Sequence, residues 1–126
     1  MKDGELFSFE KLEVWQLSRS YCKKVYLLIR SFPLEERFGL SDQLRRSAIS
    51  VPSNIAEGCG RMSTKEKIHF IEIAYGSLME SYCQLQLAED LGYISQKELN
   101  AIHLDVNSIA KMLTVLRRSY LKLLNP

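Results

Sequence analysis

A row of polar side chains near the middle of the sequence has the spacing of a binding surface on a helix. Arg46, Ser50, Asn54 and Glu57 lie four, four and three residues apart, so on a helix they share one face. Pro52 falls inside this row, and a proline there removes one intrahelical hydrogen bond and bends the helix. Such a face could hold a ligand, a second subunit or a nucleic acid. The alternative is a polar network that fixes the kink and locks one helix to another.

Charged residues near this row extend the candidate network. Glu80 lies in a later segment at helical spacing from Ser77 and Gln84, on a partly apolar face where an unpaired carboxylate would be costly. Arg45 or Arg46 is therefore predicted to pair with Glu80. The full candidate network for bundle specification or subunit contact comprises Arg45, Arg46, Ser50, Asn54, Glu57 and Glu80.

Basic side chains form two clusters that could bind phosphates. If the first and last helices are neighbours, the clusters make a shallow positive face that attracts phosphates without reading base sequence. A solvated surface with no such role is the alternative, since the formal net charge is only +2. The candidate nucleic-acid contacts are Arg19, Lys23, Lys24 and Arg30 in the first cluster, and Lys111, Arg117, Arg118 and Lys122 in the second.

Sequence motifs for catalysis and metal binding are missing. A di-metal site in a helical bundle needs several inward carboxylates and Glu-x-x-His pairs, but His69 precedes Glu72 in the reversed order and His103 has no suitable partner. Neither a nucleophile elbow nor a glycine-rich phosphate loop occurs. We therefore predict no enzymatic activity, no cofactor, no metal and no small-molecule substrate. A cryptic metal-binding enzyme is the remote alternative.

Four helices are predicted to position these residues, because apolar residues recur every three or four positions throughout the chain. The connections between them are short, which favours an antiparallel up-down-up-down bundle. The second helix is predicted to kink near Pro52 or to break there, and Gly76 is predicted to mark a close helix crossing. The predicted all-α domain covers residues 1–126, with helices at about 10–31, 41–60, 64–91 and 96–124.

Local signals predict how these helices begin and end. The segments Ser63–Glu66 and Ser95–Glu98 have the Ser-x-x-Glu pattern of a capping box. Ser41 or Asp42 is predicted to cap the second helix, and Gly92 is predicted to end the third.

Composition places the chain among ordinary globular proteins. Apolar residues make up 46% of the 126 residues, which fits one domain with its own core. Cys22, Cys59 and Cys83 are odd in number and form no CxxC pair, so we predict buried free thiols and a reducing, cytoplasmic location. The first five residues lead into no signal-peptide core, and no apolar run is long enough to span a membrane.

Several segments together resemble a known family. The segments are Phe9–Gln16, Phe32–Pro33 with Glu36, Gly39 and Leu40, Gln43–Arg46, Ser50–Gly58, Ala74–Glu80 and Leu91–Tyr93. They resemble the four-helix-bundle proteins encoded within intervening sequences of bacterial 23S ribosomal RNA genes. The accessory variability determinant of diversity-generating retroelements is a relative of that family.

The resemblance implies a four-helix bundle that assembles into a ring-like homopentamer and has no known catalytic activity. For the retroelement relative it implies binding to a reverse transcriptase and to RNA through a basic surface. Two functions are therefore open: a homo-oligomeric adaptor that engages RNA or a ribonucleoprotein, and a protein-interaction scaffold without nucleic-acid affinity.

Overall fold

Four α-helices account for most of the chain. The computed structural model describes residues 4–126. Met1–Asp3, which belong to the segment predicted to contain no signal peptide, lie outside the described residues. Two short 3-10 turns, Ser8–Lys11 and Leu34–Glu36, precede the first and second helices. No strand occurs in the described part, so the predicted all-α class is confirmed. The helices are α1 (Glu13–Ile29), α2 (Leu40–Cys59), α3 (Thr64–Asp90) and α4 (Gln96–Leu124).

The helices pack as a four-helix bundle. Each packs against its neighbour in sequence, and α1 closes the bundle against α4. Neighbours are antiparallel: along the α2–α3 interface Ser47 contacts Gln84, whereas Ser50, further along α2, contacts the earlier residue Ser77. Short connections between long helices produce this arrangement.

The core consists of the predicted apolar stripes. Every helix contributes side chains with no solvent exposure, and burial of a leucine or isoleucine stabilises the fold by about 1.5–3 kcal/mol. The fully buried apolar set includes Val25 of α1, Leu44, Val51 and Ile55 of α2, Leu78 and Leu85 of α3, and Ile109 and Leu113 of α4.

Two of the three predicted N-terminal caps are present. The Ser95 hydroxyl accepts the Glu98 amide and the Glu98 carboxylate accepts the Ser95 amide, which completes a capping box. The Ser63 hydroxyl accepts the Glu66 amide at 3.0 Å. The return bond of the predicted capping box, from the Ser63 amide to the Glu66 carboxylate, is absent, and that carboxylate lies 3.7 Å from Arg61 instead. The cap predicted for α2 is wrong, because the helix already begins at Leu40 and Ser41 is buried within it.

The close helix crossing lies at a different glycine from the one predicted. Gly76 is exposed, and a Cβ there would meet nothing within 4 Å, so the predicted close crossing at Gly76 is wrong. The close approach lies at buried Gly58, where a Cβ would stand 3.0 Å from the Phe70 Cβ. At the end of α3, Gly92 has a φ of +80°, and the Tyr93 amide donates to the Ala88 carbonyl as in a Schellman motif.

α2 runs unbroken through Pro52, which excludes the predicted alternative of two separate helices. Two residues beyond Pro52, the Asn54 side-chain amide donates to both the carbonyl and the hydroxyl oxygens of Ser50, one turn earlier on α2, each at 2.8 Å.

Within residues 4–126, no helix is both long enough and apolar enough to cross a membrane.

Candidate functional site

The inner members of the predicted polar row join α2 to α3. The Ser50 and Ser77 hydroxyls are 2.8 Å apart, and Asn54 donates to Ser50 from the next turn of α2. All three side chains are half-buried. Since both hydroxyls and the Asn54 amide nitrogen have partners, the cluster has the geometry of a helix-locking network.

The outer members of the row are paired locally on the surface. Arg46 forms an ion pair at 3.0 Å with Asp42, which lies one turn earlier on α2. Glu57 forms an ion pair with Arg61, which lies just beyond the end of α2. The Arg61 guanidinium also lies 4.6 Å from the Phe70 ring centroid, at the start of α3. Exposed pairs of this kind contribute about 0.3–0.5 kcal/mol each.

The predicted ion pair between Glu80 and Arg45 or Arg46 is wrong. Arg45 reaches back to the carbonyl oxygen of Arg37 at 3.3 Å, and Arg46 is held by Asp42. Glu80 is exposed and accepts a hydrogen bond from Gln84 at 3.3 Å. Water therefore solvates the carboxylate, and the burial that motivated the pairing does not occur.

Two buried polar pairs were missing from the predicted network. Ser47 donates to the Gln84 side-chain oxygen at 2.7 Å, and the Tyr21 and Ser81 hydroxyls lie 2.6 Å apart in the centre of the bundle. Burial raises the pKa of the Tyr21 hydroxyl well above its ordinary value. A signal existed in the sequence, since Ser47 and Ser81 stand within apolar stripes where a hydroxyl needs a partner.

The cysteines and histidines are spread over all four helices. Burial raises the pKa of the Cys22 and Cys59 thiols, which disfavours the thiolate. Cys83 is exposed on α3, so its predicted burial is wrong. His103 contacts the Tyr82 hydroxyl at 2.9 Å. Across residues 4–126 no group of three metal-binding side chains comes together.

The basic residues do not share one continuous face. α1 and α4 are neighbours, but Lys24 is paired with Asp105 at 2.8 Å and Arg117 with Glu72 at 2.7 Å. Because α1 and α4 are antiparallel, Arg30 and Lys122 lie near opposite ends of the bundle, about 35 Å apart along its axis. The predicted contacts therefore separate into groups.

Two of these groups line open grooves. Arg19 and Lys23 border a groove of about 690 Å³ between α1 and α2, where the Arg19 guanidinium lies 5.4 Å from the Trp15 ring. On the opposite side, Lys111 and Arg118 border a groove of about 450 Å³ between α3 and α4. Neither groove has an acidic side chain in its lining.

One further cluster ties two loops together at one end of the bundle. The Glu36 carboxylate accepts the Leu40 amide at 3.1 Å and the Tyr93 hydroxyl at 2.8 Å. The Ser31 hydroxyl donates to the Tyr93 carbonyl at 2.9 Å. Glu36 thus caps α2 and connects the α1–α2 loop to the α3–α4 loop.

Comparison with known proteins identifies the family. A family model described as 23S rRNA-intervening sequence protein matches residues 10–115. The chain belongs to this family. No protein of curated function matches the chain significantly.

A solved structure from Bacteroides thetaiotaomicron is similar to this member of the 23S rRNA-intervening sequence protein family. That protein is described as being of unknown function and from the S23 ribosomal protein family. It is 26% identical, the match covers 82% of this chain and 97% of that chain, and the TM-score is 0.76. The two chains therefore share the bundle over nearly the whole of the solved protein.

Several segments that carry the family resemblance have structural roles in this chain. Ser50 and Asn54 from one segment meet Ser77 from another, and Glu36 from a third meets Tyr93 from a fourth. Phe9 and Trp15, both in the first segment, make an edge-on aromatic contact at 4.9 Å. These side chains therefore stabilise the bundle of this 23S rRNA-intervening sequence protein.

The Glu36 contacts predict an acid-sensitive stability. The hydrogen bonds from the Leu40 amide and the Tyr93 hydroxyl lower the pKa of Glu36, so the carboxylate stabilises the fold above its unfolded pKa of about 4.3. This stabilisation is lost as the pH falls through the lower, folded pKa. Glu36→Gln should reduce the free energy of unfolding at neutral pH and lose less stability than wild type on acidification.

Urea denaturation of both proteins from neutral pH down to about pH 3 tests this expectation. Glu35→Gln is the matched control, because Glu35 is exposed and its carboxylate makes no hydrogen bond within residues 4–126. Parallel pH profiles for Glu36→Gln and wild type would contradict it.

Proposed function

We propose that this family member is a non-enzymatic, homo-oligomeric adaptor that binds RNA, alone or within a ribonucleoprotein. The observation that carries the proposal is the α3–α4 groove, where Lys111 and Arg118 flank the exposed ring of Tyr75. Asn107 and Thr114 add polar groups to the same lining. Family membership supports the link to ribosomal RNA, and the resemblance supports the homopentamer.

The groove has the two features that single-stranded RNA binding requires. Lysine and arginine attract phosphates without reading sequence, and an exposed aromatic ring can stack on a base, which contributes about 1–3 kcal/mol. No acidic side chain lines the groove to repel a phosphate. The nearby Glu72 carboxylate is paired with Arg117, which partly offsets its charge. A cytoplasmic location belongs to the proposal and is supported by three free cysteines.

The proposal predicts a specific loss of RNA affinity. The double substitution Lys111→Glu and Arg118→Glu should weaken binding of a fluorescein-labelled single-stranded RNA at least about tenfold, because it removes two phosphate contacts. The slope of log affinity against log salt between about 50 and 200 mM should become shallower by about 1.4. Fluorescence anisotropy measures both quantities.

A matched control separates local contacts from net charge. Lys65→Glu with Lys97→Glu makes the same charge change at two exposed positions in the first turns of α3 and α4, where glutamate is compatible with the helix dipole. This control should keep most of the affinity. An equal loss of RNA affinity in both variants would show that overall charge, and not the α3–α4 groove, determines binding. A wild-type protein that binds no RNA would contradict the proposal.

A scaffold without nucleic-acid affinity is the second candidate. The observation that favours it is the apolar character of the α1–α2 groove, which exposes Tyr26 and Ile49. Stable oligomers that carry no nucleic acid, seen by light scattering with absorbance at two wavelengths, would support the scaffold over the adaptor.

A further inference from the structure

The groove between α1 and α2 is an unfilled apolar surface with a basic border. Its floor contains Trp15, Cys22 and Ile49, and its border carries Arg19 and Lys23. Ile49 is 42% exposed and forms an exposed apolar patch with Tyr26, which also lines the groove. Arg19 and Lys23 form no ion pair with residues 4–126. The groove therefore fits a partner that is apolar along its centre and acidic at its edges.

The outward side of α3 has the complementary chemistry. Ile73, Glu80 and Leu87 are exposed and lie seven residues apart, so they follow one line along the helix. A second line beside it contains Cys83 and Asp90, also exposed and seven residues apart. Within residues 4–126 neither Glu80 nor Asp90 takes part in an ion pair. We name this acidic, apolar surface the α3 ridge; it comprises Ile73, Gly76, Met79, Glu80, Cys83, Leu87 and Asp90.

The shapes of the two surfaces also match. A ridge of one helix packs into the groove between two others at interaxial distances of about 8–10 Å. Gly76 lies on the ridge with open space above it, so a second backbone can approach closely there. α3 has 27 residues and is about 40 Å long, which exceeds the length of groove between Trp15 and Tyr26.

We propose that the α3 ridge of one copy docks in the α1–α2 groove of a second copy, with the acidic residues of the ridge facing Arg19 and Lys23. This inference rests on the homo-oligomer in the proposed function and assigns its two contact surfaces. Because ridge and groove are different surfaces, each added copy leaves one of each unfilled. Heterologous contacts of this kind form a ring when the rotation between successive copies closes, and the homopentamer of the proposed function is such a ring.

Charge reversal of each surface tests the docking. The groove variant carries Arg19→Glu and Lys23→Glu, and the ridge variant carries Glu80→Lys and Asp90→Lys. Each should shift the mass measured by light scattering on a size-exclusion column towards the monomer, because like charges then face each other. The protein with all four substitutions should recover the wild-type mass. A mixture of the two variants should reassemble to a mass well above the monomer, because ridges and grooves of opposite charge alternate, but strict alternation cannot close a ring with an odd number of copies.

Cross-linking provides a second, independent measurement in a Cys59→Ser background. Docking brings Cys83 on the ridge of one copy near Cys22 in the groove of the next, so a bis-maleimide should produce a ladder of cross-linked species. Cys22→Ser or Cys83→Ser alone should abolish the ladder, and a mixture of the two should yield dimers only. Cross-linking between two Cys83 residues in the Cys22→Ser protein would overturn the head-to-tail arrangement.

The outcomes separate this inference from the RNA proposal. Lys65→Glu with Lys97→Glu should leave the oligomer mass unchanged, and circular dichroism should confirm that every variant is folded. A groove variant that keeps the wild-type mass, or a fourfold variant and a mixture that both stay monomeric, would overturn the docking. RNA binding through Lys111 and Arg118 is measured separately, so either proposal can fail while the other holds.

Discussion

Gly58→Val is expected to lower the free energy of unfolding by about 1–3 kcal/mol. A Cβ at this buried position would stand 3.0 Å from the Phe70 Cβ and 3.5 Å from the Lys67 carbonyl oxygen. Valine adds two further methyl groups in the same space, so α2 and α3 must separate locally. The gain in helix propensity is small here, because α2 ends at the next residue.

Gly76→Ala is the matched control for this expectation. Gly76 also lies inside a helix, but a Cβ there has nothing within 4 Å, so alanine should stabilise the protein by up to about 1 kcal/mol through helix propensity. Urea denaturation at one fixed protein concentration measures both variants, each in the Arg19→Glu, Lys23→Glu background, so that docking at the α3 ridge does not contribute at Gly76. Opposite signs would confirm the close contact at Gly58, and a neutral Gly58→Val would show that the helices can separate without loss.

Ser81→Ala is expected to destabilise the protein by about 1–3 kcal/mol, and by more than Tyr21→Phe. Ser81 donates to the Leu78 carbonyl at 2.8 Å, so the Tyr21 hydroxyl is the donor in the bond between them. Removing the serine leaves a fully buried tyrosine hydroxyl without an acceptor. Removing the tyrosine hydroxyl leaves Ser81 with its bond to Leu78 intact.

A double-mutant cycle in urea measures the coupling between these two hydroxyls. The double variant should lose less stability than the sum of the single variants, because neither partner is then orphaned. Ser18→Ala is the control: Ser18 is equally buried in α1, but its hydroxyl has no hydrogen-bond partner within residues 4–126, so its loss should be neutral or stabilising. Strict additivity in the cycle would contradict the coupling.

Features that depend on nearby residues were predictable from the sequence. The Ser95 capping box, the turn at Gly92 and the four apolar stripes follow from spacings of three or four residues, and the structure confirms them. The cap of α2 was not predictable in this way. Its acceptor is Glu36, which lies outside the helix and reaches Leu40 only because a 3-10 turn folds the loop back.

Features that depend on the angle between helices could not be derived from one sequence. Arg45 and Glu80 lie on different helices, so no sequence spacing relates them. Their predicted pairing is wrong because Arg45 donates to the Arg37 carbonyl, whereas Glu80 is exposed and accepts from Gln84 on its own helix. The choice between Gly58 and Gly76 as the crossing point likewise depends on which helix face meets a neighbour. For the same reason, only two of the candidate basic residues of α1 and two of those of α4 line the two basic grooves.

The tie between Glu36 and Tyr93 makes the two ends of the bundle unequal in their resistance to local opening. At the tied end, the α1–α2 loop is bonded to Tyr93 of the α3–α4 loop through both Glu36 and Ser31. At the other end, Met62 of the α2–α3 connection is 98% exposed. Native-state hydrogen exchange reports such differences as opening free energies. Hydrogen-bonded amide protons in the last turn of α3 should therefore exchange more slowly than hydrogen-bonded ones in its second turn, the first turn being left out because its amides have no intrahelical acceptor. Fluctuations of the bundle should begin at the end that carries Met62.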